Sequence, residues 1–319
     1  MELTAFFDKF INDEVNLNQT RIDTINEKTQ IIGKYLKKNE VFKENFKEMI
    51  PQGSYAQKTI IKPPKDKDFD VDVLLFLKAF DGWTPENYIK NLYDQFSAND
   101  TYKKIIEINN RCVTINYKGD FHIDIVPFIQ ENGKYYIANK DTDEWEETNP
   151  MEYTEWLRKK NMSAKGYLVK SIRLFKYLRD VKQNYSVKSI LLNTLIGNCV
   201  NNEEKNSDFK NLPTAFVALF ERLNRFLKEN KSVPTIVNPT LSSEDFNRHW
   251  DEEKYSNFCE KVKLYSEKSQ AAYEETDKDK SVKKWREVFG EVFPEEIQTD
   301  SKTASLGILS SNSRPWGSC

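Results

Sequence analysis

Residues 68–77 read Asp-Phe-Asp-Val-Asp-Val-Leu-Leu-Phe-Leu, so that Asp70 and Asp72 alternate with apolar residues at the head of a strongly apolar segment. Side chains on a β-strand point alternately to its two faces. The pattern therefore predicts a strand from which both carboxylates project on one side, while Val71 and Val73 project on the other.

A second apolar segment, Phe121-His122-Ile123-Asp124-Ile125-Val126-Pro127, carries a third acidic residue, Asp124. Proline cannot donate to a strand ladder, so we expect this strand to lie at a sheet edge or to end at Pro127. A lone Asp-x-Asp is most often an ordinary solvent-facing pair. Here Gly53-Ser54 precedes the pair and a third acid follows it, which favours convergence of the three carboxylates at one site.

Convergence of three carboxylates is unfavourable unless positive charge lies between them. At an effective dielectric constant of about 20, two carboxylates roughly 4 Å apart repel by on the order of 4 kcal/mol. Hard oxygen ligands without a histidine or cysteine cluster favour Mg²⁺ or Mn²⁺ over Zn²⁺, and Mg²⁺ is usually bound by carboxylates, waters and substrate phosphates. The pattern therefore predicts a divalent-cation site and a nucleoside triphosphate substrate.

In this order, Gly53-Ser54, the Asp70-x-Asp72 pair and the distant Asp124 resemble the motif of the polymerase-β-like nucleotidyltransferases. Within that superfamily the chain most resembles the cGAS/DncV-like nucleotidyltransferases (CD-NTases), which make cyclic oligonucleotide signals in bacterial antiphage defence. The resemblance covers residues 1–296. It includes Leu174–Arg179, Ser189–Leu195, Val237–Pro239 and Trp285–Pro294.

The loop after Gly53-Ser54 departs from the family pattern. It reads Tyr55-Ala56-Gln57-Lys58-Thr59, where many relatives carry a second glycine before the threonine. We therefore expect a phosphate loop of slightly different shape.

The resemblance implies an α+β fold with a polymerase-β-like nucleotidyltransferase core of mixed sheet and helices. An all-helical C-terminal domain is expected to follow, joined to the core by a long N-terminal spine helix. The expected catalytic core with its spine helix covers residues 1–150, and the helical domain that completes the nucleotide cleft covers residues 151–297. Residues 298–319 are rich in Ser, Thr and Gly and are expected to form a disordered tail.

Local patterns predict the individual elements. Apolar spacing predicts one spine helix over residues 3–46, and Thr84 is the expected N-cap of a helix from Pro85 to Phe96. Asn132-Gly133 predicts a hairpin turn. Strands are predicted over residues 71–77, 112–117 and 121–129, and the second half is expected to be all helix, over residues 152–160, 164–182, 186–200, 212–230, 243–270 and 278–289.

The mechanism that this pattern suggests is in-line attack of a ribose hydroxyl on the α-phosphorus of a nucleoside triphosphate. Asp70, Asp72 and Asp124 are the expected catalytic residues and the ligands of two Mg²⁺ (or Mn²⁺) ions. Backbone N–H groups around Gly53-Ser54, with the Ser54 hydroxyl, are expected to bind the β- and γ-phosphates.

A basic segment follows the third acid. Between Lys165 and Lys188 there are seven basic residues and one acidic residue, and a solvated face of an amphipathic helix is the ordinary interpretation. The family resemblance instead implies Lys176 as a triphosphate contact, with Ser189 as a second candidate.

Three further side chains are weaker candidates. Tyr185 and Tyr167 flank the basic helix and are candidates for stacking on a base. His122 shares a strand face with Asp124, and it is either a hydrogen-bond partner of the metal site or a structural histidine.

Composition bounds the function. The chain has 319 residues, 31% of them charged, and a formal net charge of −2, so there is no strong evidence for direct DNA binding. Four scattered cysteines and two histidines exclude a zinc module or a disulfide framework. No apolar stretch is long enough to span a membrane and no secretion signal is present, so we expect a cytoplasmic protein without a membrane partner.

The sequence is therefore interpreted as a Mg-dependent nucleotidyltransferase. It is expected to condense NTPs, ATP and/or GTP, into a cyclic di- or trinucleotide second messenger for antiphage defence, releasing pyrophosphate. The resemblance also implies a downstream effector that binds the cyclic product. Three alternatives stay open: an RNA-directed transferase, a protein-directed transferase and a non-catalytic nucleotide-binding module.

Overall fold

A computed structural model describes residues 1–64, 68–117, 121–201 and 207–297; the expected tail, residues 298–319, lies outside the described residues. The strands are β1 Phe46–Pro51, β2 Phe69–Leu77, β3 Ile106–Ile108, β4 Val113–Tyr117, β5 Phe121–Glu131, β6 Lys134–Asn139, β7 Glu144–Glu147, β8 Val237–Asn238 and β9 Leu241–Asp245. The α-helices are α1 Thr4–Phe10, α2 Gln19–Lys38, α3 Gly53–Ala56, α4 Pro85–Ser97, α5 Pro150–Ser163, α6 Tyr167–Lys182, α7 Ser189–Asn198, α8 Leu212–Glu229, α9 Glu252–Glu274 and α10 Lys278–Phe289.

Strands β1 to β7 form one mixed sheet. The order is β1-β2-β5-β4-β3, with β6 paired to β5 and β7 paired to β6. Strands β2 and β5 run parallel, and the other pairs of this sheet are antiparallel. With helices following, this is the expected α+β architecture.

One face of the sheet is apolar and covered by helices. Val71, Val73 and Leu75 of β2 are at most 1% exposed, and they share a hydrophobic cluster with apolar residues of α2 and α4. Fully burying one such side chain contributes roughly 1.5–3 kcal/mol, so this layer fixes which face of β2 points inward. The opposite face of β2 carries Asp70 and Asp72, followed by Leu74 and Phe76.

The second half of the chain has its own hydrophobic cluster, formed mainly by α5 to α10. The segment that begins the chain belongs to it: Phe7 of α1 lies edge-on to Trp285 of α10, with ring centroids 4.8 Å apart. Helix α2, in contrast, packs in the cluster of the sheet. The helical segments on either side of residue 17 therefore serve different cores.

The predicted spine over residues 3–46 is interrupted and ends earlier. A π-helical turn, Ile11–Val15, follows α1, the chain is extended at Asn16, and Asn18 caps α2 by accepting a hydrogen bond from the Arg21 N–H at 2.9 Å. Asparagine side chains bind nearby backbone groups and so favour caps over helix interiors. After α2, turns lead into β1, which the sequence pattern did not predict.

The prediction that Pro127 marks a sheet edge or a strand end is wrong, because β5 is central and continues to Glu131. On one side of β5, the β4 partner ends opposite Ile125 and the β6 partner begins opposite Phe128. On this side of β5, Pro127 therefore lies between two partners, and its missing N–H costs no ladder bond there.

The second half is not all helix. Strands β8 and β9 form a two-stranded antiparallel sheet, so the helix predicted over 243–270 begins only at Glu252, where Asp251 caps it. Two local predictions are confirmed: Pro85 opens α4 behind Thr84, and Asn132-Gly133 turns between β5 and β6 with positive φ at both residues. Within the described residues no helix combines the length and hydropathy needed to cross a bilayer.

Candidate active site

The parallel register of β2 and β5 brings the acidic residues together. Asp72 lies directly opposite Asp124, and Asp70 lies opposite His122. Residues opposite one another on paired strands project on the same side of the sheet. The predicted convergence is therefore confirmed, and Asp70, Asp72 and Asp124 are named the acidic face below.

Two of the three carboxylates have hydrogen-bond partners. His122 lies with Nε2 2.8 Å from Oδ1 of Asp70, which lowers the pKa of Asp70 and raises the pKa of His122. The Thr114 hydroxyl of β4 donates to Oδ1 of Asp124. Thr114 in turn accepts a bond from Nδ2 of Asn109 at 2.8 Å, so this carboxylate is oriented through two side chains.

Asp72 is the electrostatically strained member of the acidic face. Burial, followed by repulsion from Asp124 and Asp70, raises its pKa to about 6. No described residue donates a hydrogen bond to its carboxylate. Negative charge is therefore concentrated at the centre of the face and is offset only in part by His122 and Lys176.

This donor set suits a hard divalent cation, because carboxylate oxygens are the ligands that such ions prefer. In the present side-chain arrangement, no three His, Cys, Asp or Glu residues among the described ones form a group that could hold an ion. Asp70 is bonded to His122 and Asp124 to Thr114 instead.

The loop bearing Gly53 and Ser54 packs directly on the acidic face. Gly53 has φ +60°, and a Cβ atom at this position would overlap Oδ2 of Asp72. The N–H of Gln52 donates to the backbone carbonyl of Asp72 at 2.9 Å. Glycine is thus required here for both its backbone conformation and its close approach to the carboxylate.

The same loop lacks the second glycine that many relatives carry before the threonine. Lys58, where many relatives carry glycine, has φ +57°, in the left-handed region that glycine adopts without steric cost. Lys58 thus occupies a backbone region that a glycine would adopt without steric cost, and the expected difference in loop shape stays a prediction.

Lys176 lies on α6 and faces this loop rather than solvent. It is only 2% exposed, and its Nζ donates to the carbonyl and hydroxyl oxygens of Thr59 at 3.1 and 3.0 Å. Burial lowers its pKa to about 7. The general expectation of a solvated basic face is therefore wrong for this residue.

A cavity of about 600 Å³ lies between the acidic face and the basic helix. Tyr185 lines it, whereas Tyr167 is not among its described lining residues. The polar side chains that line it include Ser54, Asp70, Lys176, Arg179, Lys188 and Ser189. Three of these, Lys176, Arg179 and Lys188, are named the basic wall below.

A second cavity, of about 350 Å³, lies beside the first and is lined by Gly53 and Asp72. Asp124 is not among the described lining residues of either cavity; it adjoins them through Asp72. The predicted site residues are therefore divided between two adjacent cavities that share the Gly53-Ser54 loop and the acidic face.

Sequence reasoning missed the side chains that hold these groups in place. Asn193 of α7 donates from Nδ2 to Oε1 of Gln57 at 2.8 Å and to the Thr59 hydroxyl at 3.3 Å. Arg179 donates to Oγ of Ser189 at 3.2 Å. The Asn193 contacts join residues that are 136 and 134 positions apart in the chain. Thr114 could have been found from the sequence, because its predicted strand immediately precedes the strand of Asp124.

Comparison with known proteins adds relatives of this chain. It is 31% identical over 150 residues to a c-di-GMP synthase of Roseivirga ehrenbergii, covering 45% of this chain and 40% of that protein. It is 26% identical over 254 residues to a Cyclic AMP-AMP-AMP synthase of Acinetobacter sp., covering 76% of this chain and 71% of that protein. The chain thus spans less than half the length of the Roseivirga relative.

Solved structures share the fold. E. coli MS115-1 CdnC with ATP has a TM-score of 0.74 at 20% identity, covering 92% of this chain and 100% of that chain. The Bradyrhizobium diazoefficiens CD-NTase CdnG in complex with GTP has a TM-score of 0.72 at 14% identity, covering 91% of this chain and 96% of that chain. At these identities the likeness concerns the fold alone.

A family model described as the Second Messenger Oligonucleotide or Dinucleotide Synthetase (SMODS) domain matches residues 1–161, half of the chain. This match includes the Gly53-Ser54 loop and all three residues of the acidic face. The resemblance to the CD-NTases is thereby confirmed, and the chain belongs to the SMODS family.

Proposed function

We propose that the chain is a divalent-metal-dependent nucleotidyltransferase that joins nucleoside triphosphates into a cyclic di- or trinucleotide and releases pyrophosphate. The observation that carries this proposal is the pairing of Asp72 with Asp124 beneath a glycine loop, next to Asp70, which lines one cavity with the basic wall. Membership of the SMODS family supports the same reaction class.

Asp70, Asp72 and Asp124 are proposed to hold two Mg²⁺ or Mn²⁺ ions. When bound, such ions neutralise triphosphate charge and lower the pKa of an attacking hydroxyl. The protein's contribution is to hold the carboxylates in strand register, so that the ligand oxygens share one side of the sheet. Asp124 is further proposed to accept the proton of the attacking hydroxyl.

The basic wall and the Gly53-Ser54 loop are proposed to bind the triphosphate in the larger cavity. Lys176 supplies positive charge from a buried position, and the Ser54 and Ser189 hydroxyls supply hydrogen bonds. A ribose hydroxyl forms a bond to the α-phosphorus while the bond from that phosphorus to the bridging oxygen breaks. Pyrophosphate leaves with that electron pair.

Two adjacent cavities suit a reaction that joins two nucleotides. The larger is lined by Asp70 and the smaller by Asp72, so that an occupant of each can meet at the acidic face. The relatives named above make cyclic products of purine nucleotides, which supports ATP and/or GTP as substrates. Antiphage defence, a cytoplasmic location and an effector that binds the product belong to the same proposal.

The test is incubation of the full chain with the four NTPs and Mg²⁺, followed by mass spectrometry of phosphatase-resistant products. The expected result is a cyclic oligonucleotide together with pyrophosphate. Elongation of an added RNA, or transfer of label onto protein, would instead identify one of the two other transferase activities. Binding of NTPs without release of pyrophosphate would favour the non-catalytic module.

A further inference from the structure

The smaller cavity has a polar end that the proposed chemistry does not use. Its apolar lining includes Val126 and Ile137 from the sheet and Phe246 from the segment after β9. At about 350 Å³ it lies within the size range of small-molecule sites. Opposite charges, Glu244 of β9 and Arg248 of the following turn, line the same cavity.

These two charged groups are available to an occupant. Oε2 of Glu244 accepts a hydrogen bond from Nδ2 of Asn238 at 2.7 Å, which orients the carboxylate and leaves its other oxygen unbonded among the described residues. Arg248 forms no hydrogen bond or ion pair with any residue that the structure describes. The two groups form no ion pair with each other, although both line one cavity.

We infer that this cavity selects a guanine base, with Glu244 accepting from the base's N1–H and N2–H groups and Arg248 donating to O6 and N7. The inference rests on the proposed function, because it concerns which nucleotide the second cavity holds. A carboxylate accepts two parallel N–H donors, and a guanidinium is the usual partner of the O6 and N7 acceptors of guanine.

Adenine does not match this pair of groups. Its amino group lies beside the N1 acceptor, so one carboxylate oxygen would face a lone pair instead of a donor. It also lacks the O6 acceptor for Arg248. A site that hydrogen-bonds a polar group discriminates against an analogue without it, because the site's own group is left unpaired.

The test compares binding of non-hydrolysable GTP and ATP analogues by equilibrium dialysis, over concentrations that resolve two classes of site. In the wild-type chain, one class is expected to prefer GTP by about 10- to 100-fold, as for a good bidentate contact. Glu244→Gln is expected to remove most of that preference and leave the other class unchanged. Glu260→Gln, an exposed position on α9 that removes the same charge, is the matched control.

A second measurement needs no mutation. Inosine triphosphate lacks only the 2-amino group, so its affinity for the selective class should fall by about tenfold relative to GTP, as for loss of one hydrogen bond to a charged group. Equal binding of GTP, ATP and ITP analogues, or a preference that survives Glu244→Gln, would overturn the inference. Binding requires no turnover, so these results are separate from a failure to release pyrophosphate, which would overturn the proposed function.

Discussion

The acidic face, through Asp70, and the basic wall line the same cavity but hold their charges in different ways. Strand register holds the acidic face, because paired strands lie about 4.8 Å apart and fix which residues are opposite. The basic wall depends on helix packing, which buries Lys176 against the uncharged oxygens of Thr59. Each region carries unfavourable charge when alone, and a triphosphate with divalent cations would relieve both.

The largest expected effect comes from the centre of the acidic face. Asp72→Asn should lower NTP turnover by on the order of 10³-fold or more, since a metal ligand worth several kcal/mol is removed. The melting temperature in metal-free buffer should stay the same or rise, because one charge leaves a repelling cluster. Pyrophosphate release and calorimetry measure the two effects.

Wild-type turnover in both Asp70→Asn and Asp72→Asn would contradict a catalytic role of the acidic face, whose role would then be structural. A large drop in the melting temperature of Asp72→Asn would show that its charge is compensated by something other than bound cations.

The next effect tests the contact between the glycine loop and the acidic face. Gly53→Ala should lower turnover by about 100-fold, because its Cβ must displace Asp72 and such misplacement near reacting groups is costly. Gly82→Ala is the matched control: φ at Gly82 is +74°, but a Cβ there meets no atom within 4 Å. If the two variants lose stability equally and Gly53→Ala keeps its turnover, the loop does not position the carboxylate.

The smallest effect concerns the basic wall. The folded state lowers the pKa of Lys176 from 10.5 to about 7, so between these values the unfolded chain binds more protons. Stability should therefore rise with pH over this window relative to Lys176→Met, with a slope of up to about 1.4 kcal/mol per pH unit. Below pH 7 the difference should be constant. Urea unfolding of both proteins at pH 7, 8 and 9 measures it.

A parallel pH dependence of stability in the two proteins would contradict the burial of a cationic Lys176. The control for charge alone is Lys263→Met, an exposed position on α9. It should reproduce the wild-type dependence.

The acidic face could be predicted because its cause is local. Strand alternation and two short motifs suffice to place Asp70, Asp72 and Asp124 on one side of a sheet. The register that sets Asp72 against Asp124 is not local: alternation excludes shifts by one residue, which would exchange the faces, but a shift by two would keep them.

The basic wall could be predicted only in part. The sequence shows that Lys176 lies on an amphipathic helix, but its burial depends on Thr59, which is 117 positions away. The predictions for Pro127 and for the segment of β8 and β9 were wrong for a related reason. Tertiary contacts decide which strand lies beside a given residue. Asn18 could have been recognised as an N-cap that interrupts the predicted spine helix. The apolar spacing on both sides of Asn18 instead favoured one continuous helix.

The parallel ladder of β2 and β5 also limits how this protein can vary in length. Insertion of one residue inside either strand would exchange its inward and outward sets, burying carboxylates and exposing valine or isoleucine. The connection from β2 to β3, residues 78–105, contains α4 with turns on either side and can lengthen without that exchange. Insertions and deletions among related chains should therefore occur in the connection rather than in the two strands. The same strand alignment is needed for folding and for the reaction.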